Sequence, residues 1–210
     1  MDKRYGLVKW GKGAPRSRTC KSTWLQPLKW NHQAKDRDKV FCASLADVFD
    51  PEVPDQWRRD LFELIDATYR LDWLLLTKRP ENVEAMSDGI LPDNVWLGTS
   101  IEDQTRADQR IPALTAVPAP VHFLSVEPLL SPVRLELRDI EWVIVGGESG
   151  RGCRPFNVEW ARDIRDQCRA SDTSYFLKQL GGYPDKRHQL SDFPEDLRIR
   201  EIPKESGCVV

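Results

Sequence analysis

Six short apolar runs in the sequence end in residues that carry charge, form hydrogen bonds or lack a side chain. These are Ser44 and Asp47; Thr77, Lys78 and Arg79; Thr99, Ser100 and Glu102; Ser125 and Glu127; Gly146, Gly147 and Glu148; and Lys178 and Gln179. Carboxylates and lysines brought together can bind a divalent cation or an amino-acid-like ligand group. Glycines allow a ligand to approach the backbone closely. We call this set the rim residues.

Each rim residue taken alone also has a structural explanation. Glu102 and the following Asp103 are favourably placed for the first turn of a helix, where acidic side chains interact with the helix dipole. Lys78 or Arg79 can pair with Glu127 and hold strand ends together. The repetition at nearly every run favours a functional edge, because a strand end needs no polar residue for structural reasons alone.

The apolar runs predict β-strands over residues 40–44, 73–77, 95–99, 121–125, 142–145 and 175–177. They are mostly continuous rather than alternating, which is typical of parallel strands covered on both faces. The segments between them predict helices over 54–69, 80–88, 103–110 and 158–170. We expect Asn157 to cap the last helix and Pro112 to interrupt or restart the third. Residues 128–141 are expected to form a loop or short turn.

Alternation of strands and helices implies right-handed parallel connections, and therefore either a barrel or an open, doubly wound sheet. The polar run ends favour a barrel, in which such residues share one rim. No G-x-G-x-x-G motif follows the first run, which disfavours a dinucleotide-binding sheet. We therefore predict an α/β fold, a partial (β/α) barrel of parallel strands. Any chemistry is expected at the carboxyl ends of those strands.

Charge and composition divide the chain into three parts. Residues 1–39 form a basic, tryptophan-containing N-terminal arm, residues 40–182 the barrel, and residues 183–210 a polar tail that is expected to be loosely attached. The first forty residues carry a net charge of +8, and the rest carries −10. Basic residues interleaved with Tyr5, Trp10, Trp24 and Trp30 can neutralise phosphates and stack on unpaired bases, which favours nucleic-acid binding. The alternative is a solvated arm that lies against the acidic body.

The composition argues against a membrane protein and against a metal site built from cysteines. No apolar run approaches the roughly 20 residues that span a bilayer, and the N-terminus has no signal-peptide pattern. We therefore expect a cytoplasmic protein without a membrane partner. The five scattered cysteines form no C-x-x-C pair, which indicates free thiols. Trp73, Trp96 and Trp142 lie at or near strand starts, where we expect them to pack.

Several motifs resemble those of one protein family. They are Leu74-Leu-Leu-Thr-Lys-Arg-Pro80, Asn94-Val-Trp-Leu-Gly-Thr-Ser100, Ser125-Val-Glu-Pro-Leu129 and Trp142-Val-Ile-Val-Gly-Gly-Glu-Ser-Gly150. Over roughly residues 4–182 the chain resembles an uncharacterised phage and prophage family, named after bacteriophage proteins gp thirty-seven and gp sixty-eight. That family resembles the radical S-adenosylmethionine (SAM) barrels. The resemblance therefore implies a radical-SAM-like barrel that binds SAM at its rim.

Members of that family typically carry an N-terminal cysteine motif ending in C-x-x-C-Y, whose thiolates ligate a [4Fe–4S] cluster. The motif is absent from this sequence, and so is the first strand of such a barrel. The resemblance thus implies a [4Fe–4S] cluster only in a longer form. It also implies that this chain is a fragment of a SAM-dependent iron–sulfur enzyme and is inactive by itself.

Two other functions are compatible with the same residues. A non-catalytic binding module would use the basic arm to hold nucleic acid or a partner protein. A divalent-metal-dependent barrel enzyme would use Glu102, Glu127 and Glu148 around the ion. The sequence assigns no catalytic residue under any of the three readings.

Overall fold

The computed structural model describes residue 11 and residues 13–42 and 46–203. Six strands form one parallel sheet in chain order, which curls into a half-barrel. They are β1 Asp38–Cys42, β2 Leu71–Thr77, β3 Val95–Ser100, β4 Val121–Val126, β5 Trp142–Gly146 and β6 Ser174–Gln179. A doubly wound sheet would reverse its strand order at one point. The sequential order therefore confirms the predicted α/β partial barrel.

The helices are α1 Lys21–Trp24, α2 Gln26–Gln33, α3 Asp55–Asp66, α4 Val83–Met86, α5 Gln104–Thr115 and α6 Val158–Ala170. A 3₁₀ turn, Pro80–Asn82, precedes α4. The predicted cap of α6 is confirmed, because the Asn157 side-chain oxygen accepts the N–H of Glu159 at 2.9 Å. The link 128–141 contains no helix, as predicted. Within the described residues, no helix combines the length and apolar character needed to cross a membrane.

Helix α5 continues through Pro112, so the prediction that this proline interrupts or restarts the helix is wrong. Proline inside a helix costs about 3 kcal/mol, because it removes one hydrogen bond and crowds the preceding turn. The last turns of α5 bury Ile111 and Leu114, which are 2% and 0% exposed. Burying an aliphatic side chain contributes about 1.5–3 kcal/mol. Two such contacts offset the cost of the proline.

The sheet separates two apolar layers. On its convex face, strand residues such as Leu75 and Leu97 pack against α3, α5 and α6. Trp73 lies on that face and donates its indole N–H to the Thr68 hydroxyl at 3.0 Å. The concave face carries a second cluster, composed of Leu74, Trp96, Val121, Phe123, Trp142 and Ile144. The three tryptophans near strand starts are 2–5% exposed, which confirms that they pack.

The N-terminal arm contains α1 and α2, which the sequence analysis did not predict. Two of its arginines contact the acidic body: Arg16 pairs with Asp50 at 2.8 Å, and Arg18 pairs with Asp60. Arg18 also lies 3.7 Å from the centre of the Trp24 ring. Part of the arm therefore lies against the body, and Trp24 already has a stacking partner.

The C-terminal tail is attached more closely than expected. Phe193 and Leu197 are 2% and 0% exposed and belong to the convex-face core. The backbone N–H of Leu177 in β6 bonds to the carbonyl of Ile199 at 3.0 Å. The expectation of a loosely attached extension is therefore wrong for residues 183–203, where apolar side chains spaced among prolines and charges reach the core.

Candidate functional site

The described rim residues lie at one edge of the sheet, because the strands are all parallel and end together. Ser44 falls outside the described residues. Side chains alternate between the two faces along a strand. The edge therefore divides into residues on the helix-covered side and residues on the concave side, a division that the run ends alone did not predict.

Asp47, Thr77 and Thr99 belong to the helix-covered side of the edge. The Asp47 carboxylate accepts hydrogen bonds from the Thr77 hydroxyl at 2.7 Å, the Lys78 N–H at 3.0 Å and the Arg79 guanidinium at 3.0 Å. The Thr99 hydroxyl donates to the Thr77 carbonyl at 2.9 Å. These contacts tie the segment after β1 to the ends of β2 and β3. Their role is to stabilise the edge.

Lys78 and Glu102 form the first ion pair at the edge. The Lys78 ammonium lies 2.7 Å from one Glu102 oxygen, and the Arg110 guanidinium lies 2.9 Å from the other. Arg110 also donates to the Ser100 carbonyl at 2.6 Å. The Glu102 side chain is only 15% exposed, whereas that of Lys78 is 58% exposed. The lysine end of this pair is therefore open to solvent.

Glu127 and Lys178 form the second ion pair, which spans from β4 to β6 across β5. The Lys178 ammonium lies 2.8 Å from one Glu127 oxygen, and the Gln179 amide donates to the other at 2.9 Å. The carboxylate can cross β5 because Gly146 has no side chain. A Cβ built on Gly146 would lie 3.1 Å from the Glu127 carboxyl carbon. Gly146 therefore provides the space in which Glu127 lies.

Ser100 and Ser125 lie between the two ion pairs. They are register partners on β3 and β4, and they share the concave side with Phe123 by alternation. Their residues are 3% and 5% exposed. Neither hydroxyl makes a hydrogen bond to another described residue. Two adjacent, nearly buried hydroxyls thus remain available to a ligand at this edge.

Glu148 has a different role from Glu102 and Glu127. Its carboxylate accepts hydrogen bonds from the Arg154 backbone at 3.0 Å and from the guanidinium at 2.8 and 3.0 Å. The side-chain hydrogen bonds from Arg154 hold the pKa of the Glu148 carboxyl below its usual value. Glu148 therefore closes the loop that follows β5.

Gly147 serves chain packing rather than ligand approach. A Cβ built on Gly147 would lie 2.3 Å from the Leu180 carbonyl oxygen, and one on Gly181 would lie 2.3 Å from the Glu148 carbonyl oxygen. The two loops after β5 and β6 therefore meet backbone to backbone. The expectation that Gly147 admits a ligand is wrong, because the Leu180 backbone occupies that space.

The acidic rim residues do not form a metal site within the described part of the chain. No group of three or more His, Cys, Asp or Glu side chains is placed there to hold an ion. Glu102, Glu127 and Glu148 each pair with a different basic residue, as described above. The geometry therefore offers no support for the metal-dependent enzyme.

The described cysteines differ in reactivity. Burial raises the pKa of Cys42 and of Cys168 to about 12. Hydrogen bonds from the hydroxyls of Ser22 and Thr23 lower the pKa of the exposed Cys20 to about 6. Thiolate, not thiol, is the nucleophile in alkylation. Among the described cysteines, Cys20 is therefore the one whose pKa is lowered, and its thiol should be mostly ionised and reactive at neutral pH.

Alkylation by iodoacetamide tests this difference. In a Cys153→Ser, Cys208→Ser background, the labelling rate of Cys20 should rise with pH and reach half its maximum near its pKa of about 6. Ser22→Ala should shift the midpoint upward, because it removes the largest stabilising hydrogen bond. Mass spectrometry of the labelled peptides measures the labelling rate of Cys20 with Ser22 present and with Ser22→Ala. A midpoint equal to that of a free thiol in both proteins would contradict the prediction.

The comparisons with known proteins identify a family but not an activity. A family model described as "Protein of unknown function (DUF5131)" matches residues 1–205. No curated protein and no solved structure matches the chain. The function therefore has to be inferred from the geometry of the rim.

Proposed function

Because this chain belongs to the DUF5131 family of unknown function, its activity has to be inferred from its own residues, and we propose that it is a SAM-binding partial barrel of the radical-SAM type. The supporting observation is the two lysine–glutamate ion pairs at the rim, with two serines between them whose hydroxyls bond to no other described residue. As part of the same proposal, we assign the protein to phages or prophages, with a nucleic-acid-derived or other phage-related substrate.

The ion pairs match the amino-acid end of SAM in charge. That end carries one ammonium and one carboxylate. A lysine–glutamate pair offers the complementary partners: Lys178 for the carboxylate and Glu127 for the ammonium, or Lys78 and Glu102. Ion pairs with a half-exposed member contribute under about 1 kcal/mol. A ligand can therefore replace the internal partner at low cost.

The concave face below the rim fits the rest of SAM. It presents apolar side chains that are only partly covered, among them Leu76, Phe176 and the 43% exposed Phe41. Aromatic and aliphatic surface suits the adenine ring, and the Ser100 and Ser125 hydroxyls suit polar groups such as the ribose hydroxyls. When bound, SAM supplies an activated sulfonium centre. The residues of this chain would bind and orient it.

An iron–sulfur cluster does not fit the described cysteines. Cys20 precedes α1, Cys42 ends β1, Cys153 lies in the loop after β5 and Cys168 lies in α6. No three of them come together. The cysteine ligation that a [4Fe–4S] cluster requires is therefore not provided by these residues. We therefore assign to the described cysteines no reaction step that requires an iron–sulfur cluster.

Thermal unfolding in the presence of SAM or S-adenosylhomocysteine tests the proposal. A ligand that binds only the folded state stabilises it by mass action, by about 1.4 kcal/mol at ten times its Kd. In a chain of this size that corresponds to a rise in Tm of about 3–6 °C. We expect Glu127→Gln to reduce the rise, and Gly146→Ala to do the same by displacing Glu127.

Glu63→Gln is the matched control, because Glu63 is an exposed carboxylate near the end of α3 that leads into the start of β2, opposite the rim. It should leave the rise in Tm unchanged. The proposal is wrong if neither ligand shifts the Tm of the wild type at millimolar concentration. It is also wrong if wild type and Glu127→Gln shift equally.

We also propose that the basic arm binds nucleic acid. Its supporting observation is α2, on which Trp30 remains 42% exposed while Trp24 is covered by Arg18. Tyr5 and Trp10 lie outside the described residues. Binding through the arm should weaken steeply with salt, because each phosphate contact releases counterions. Trp30→Ala should weaken it further, by the loss of one stacked base.

A further inference from the structure

We infer that a basic cleft at the amino-terminal end of the sheet binds the phosphates of single-stranded nucleic acid. The cleft has a volume of about 570 Å³ and is lined by Lys35, Asp36, Arg37, Lys39 and Arg70. Its residues precede or begin β1 and β2. Since all strands are parallel, the cleft lies at the end of the sheet opposite the rim. It is therefore a second site, separate from the proposed SAM pocket.

The charge of the cleft is positive. Four of its five lining residues are cations. Arg37 and Lys39 share the carboxylate of Asp72, which lies beneath them and is 1% exposed, at 2.7 and 3.5 Å. Within the described chain, Lys35 and Arg70 form no ion pair with a carboxylate. An anion in the cleft therefore contacts two cations that pair with no described carboxylate, Lys35 and Arg70. The other two cations, Arg37 and Lys39, already balance the charge of the buried Asp72.

An exposed aromatic ring lies beside the cleft. Tyr69 is 66% exposed, and the Arg70 guanidinium lies 6.0 Å from its ring centre. A cation next to an open ring is the combination that binds single strands, because the cation meets the phosphate while a base stacks on the ring. A free phosphate would use the cations but not the ring. The ring therefore favours nucleic acid over a small anion.

Arg70 is held in position by the arm. The Asn31 side-chain oxygen on α2 accepts the backbone N–H of Arg70 at 2.8 Å. The cleft thus continues from the arm into the segment before β2. This inference deepens the nucleic-acid binding proposed for the arm and rests on it. It adds two residues, Tyr69 and Arg70, that lie outside the arm.

Binding of a fluorescently labelled oligothymidylate of about 16 nucleotides, followed by anisotropy over a range of salt concentrations, tests the inference. Each lost phosphate contact lowers the slope of log K against log salt by about 0.7 on single strands. Lys35→Gln with Arg70→Gln should therefore weaken binding at low salt and reduce the slope by about 1.4. Tyr69→Ala should weaken binding about fivefold or more, and Tyr69→Phe should not.

Arg169→Gln is the control for charge alone, because Arg169 is an exposed arginine on α6, away from the cleft. If it weakens binding as much as the double variant does, attraction is general and the cleft is not the site. If Trp30→Ala abolishes binding while the cleft variants bind normally, the arm binds nucleic acid and the cleft inference fails. If inorganic phosphate displaces the labelled oligothymidylate as effectively as unlabelled oligothymidylate does at the same phosphate concentration, the ligand is a small anion and the nucleic-acid inference fails. Retention of the SAM-induced rise in Tm by the double variant shows that its rim is intact.

Discussion

Replacing Gly98 with alanine should destabilise the protein by about 1–3 kcal/mol, the usual cost of overpacking a core. Gly98 lies on β3 and faces the Phe123 ring on the concave face. A Cβ built there would lie 2.3–2.5 Å from three ring atoms, far inside contact distance. Phe123 is fully buried and cannot swing away. Urea unfolding at neutral pH measures the loss.

Two further variants separate the clash from a general effect of removing a strand glycine. Gly146→Ala meets only the Glu127 side chain at 3.1 Å, whose flexible end can move, and should cost much less. Phe123→Leu removes the ring atoms that clash. The double variant Gly98→Ala, Phe123→Leu should therefore lose less stability than the sum of the single losses, by up to about 3 kcal/mol. Additive losses would show that the ring is not what Gly98 accommodates.

Replacing Asn94 with aspartate should be more destabilising, by about 3–5 kcal/mol, the range for leaving a buried charge unpaired. The Asn94 amide is 6% exposed and lies 3.1, 3.2 and 2.9 Å from the carbonyls of Ile65, Thr68 and Leu71. The amide donates hydrogen bonds to carbonyls at and after the end of α3 and thereby joins α3 to the start of β2. A carboxylate would place negative charge against three carbonyl oxygens and donate to none.

Asn157→Asp is the matched control for this prediction. It makes the same chemical change at an exposed helix cap, where the side-chain oxygen accepts a hydrogen bond from Glu159. Aspartate and asparagine cap helices about equally well. Its unfolding free energy should therefore stay close to that of the wild type. Equal losses at the two positions would mean that the three carbonyl contacts of Asn94 are not important.

The strands and the edge they share were predictable because their signals are local. Continuous apolar runs such as 73–77 and 95–99 mark strands that are covered on both faces, and parallel strands necessarily end at one edge. The polar residue after each run then marks that edge. The same reasoning placed Lys78, Glu102, Glu127 and Lys178 together, although up to 100 residues separate them in sequence.

The roles within that edge were not predictable in the same way. Thr99 and Ser100 are neighbours in sequence, yet they lie on opposite faces, and the choice depends on a register that run ends do not reveal. Arg110 was missed as a partner of Glu102 for the same reason, although the predicted helix 103–110 contains it. The contact depends on the angle at which α5 leaves β3, and this angle brings the Arg110 guanidinium, about two turns along the helix, back to Glu102. Tertiary packing sets that angle, and local sequence patterns do not reveal it.

The pairing of the tail with β6 also affects how the protein should behave at high concentration. An edge strand with free N–H and C=O groups is a template for intermolecular β-pairing and aggregation. At β6, the N–H of Leu177 bonds to Ile199, and the carbonyl of Tyr175 accepts the N–H of Glu201. A second molecule could pair there only after the tail has peeled away and exposed Phe193 and Leu197. Residues 193–201 therefore cover the β6 edge and should prevent self-association there.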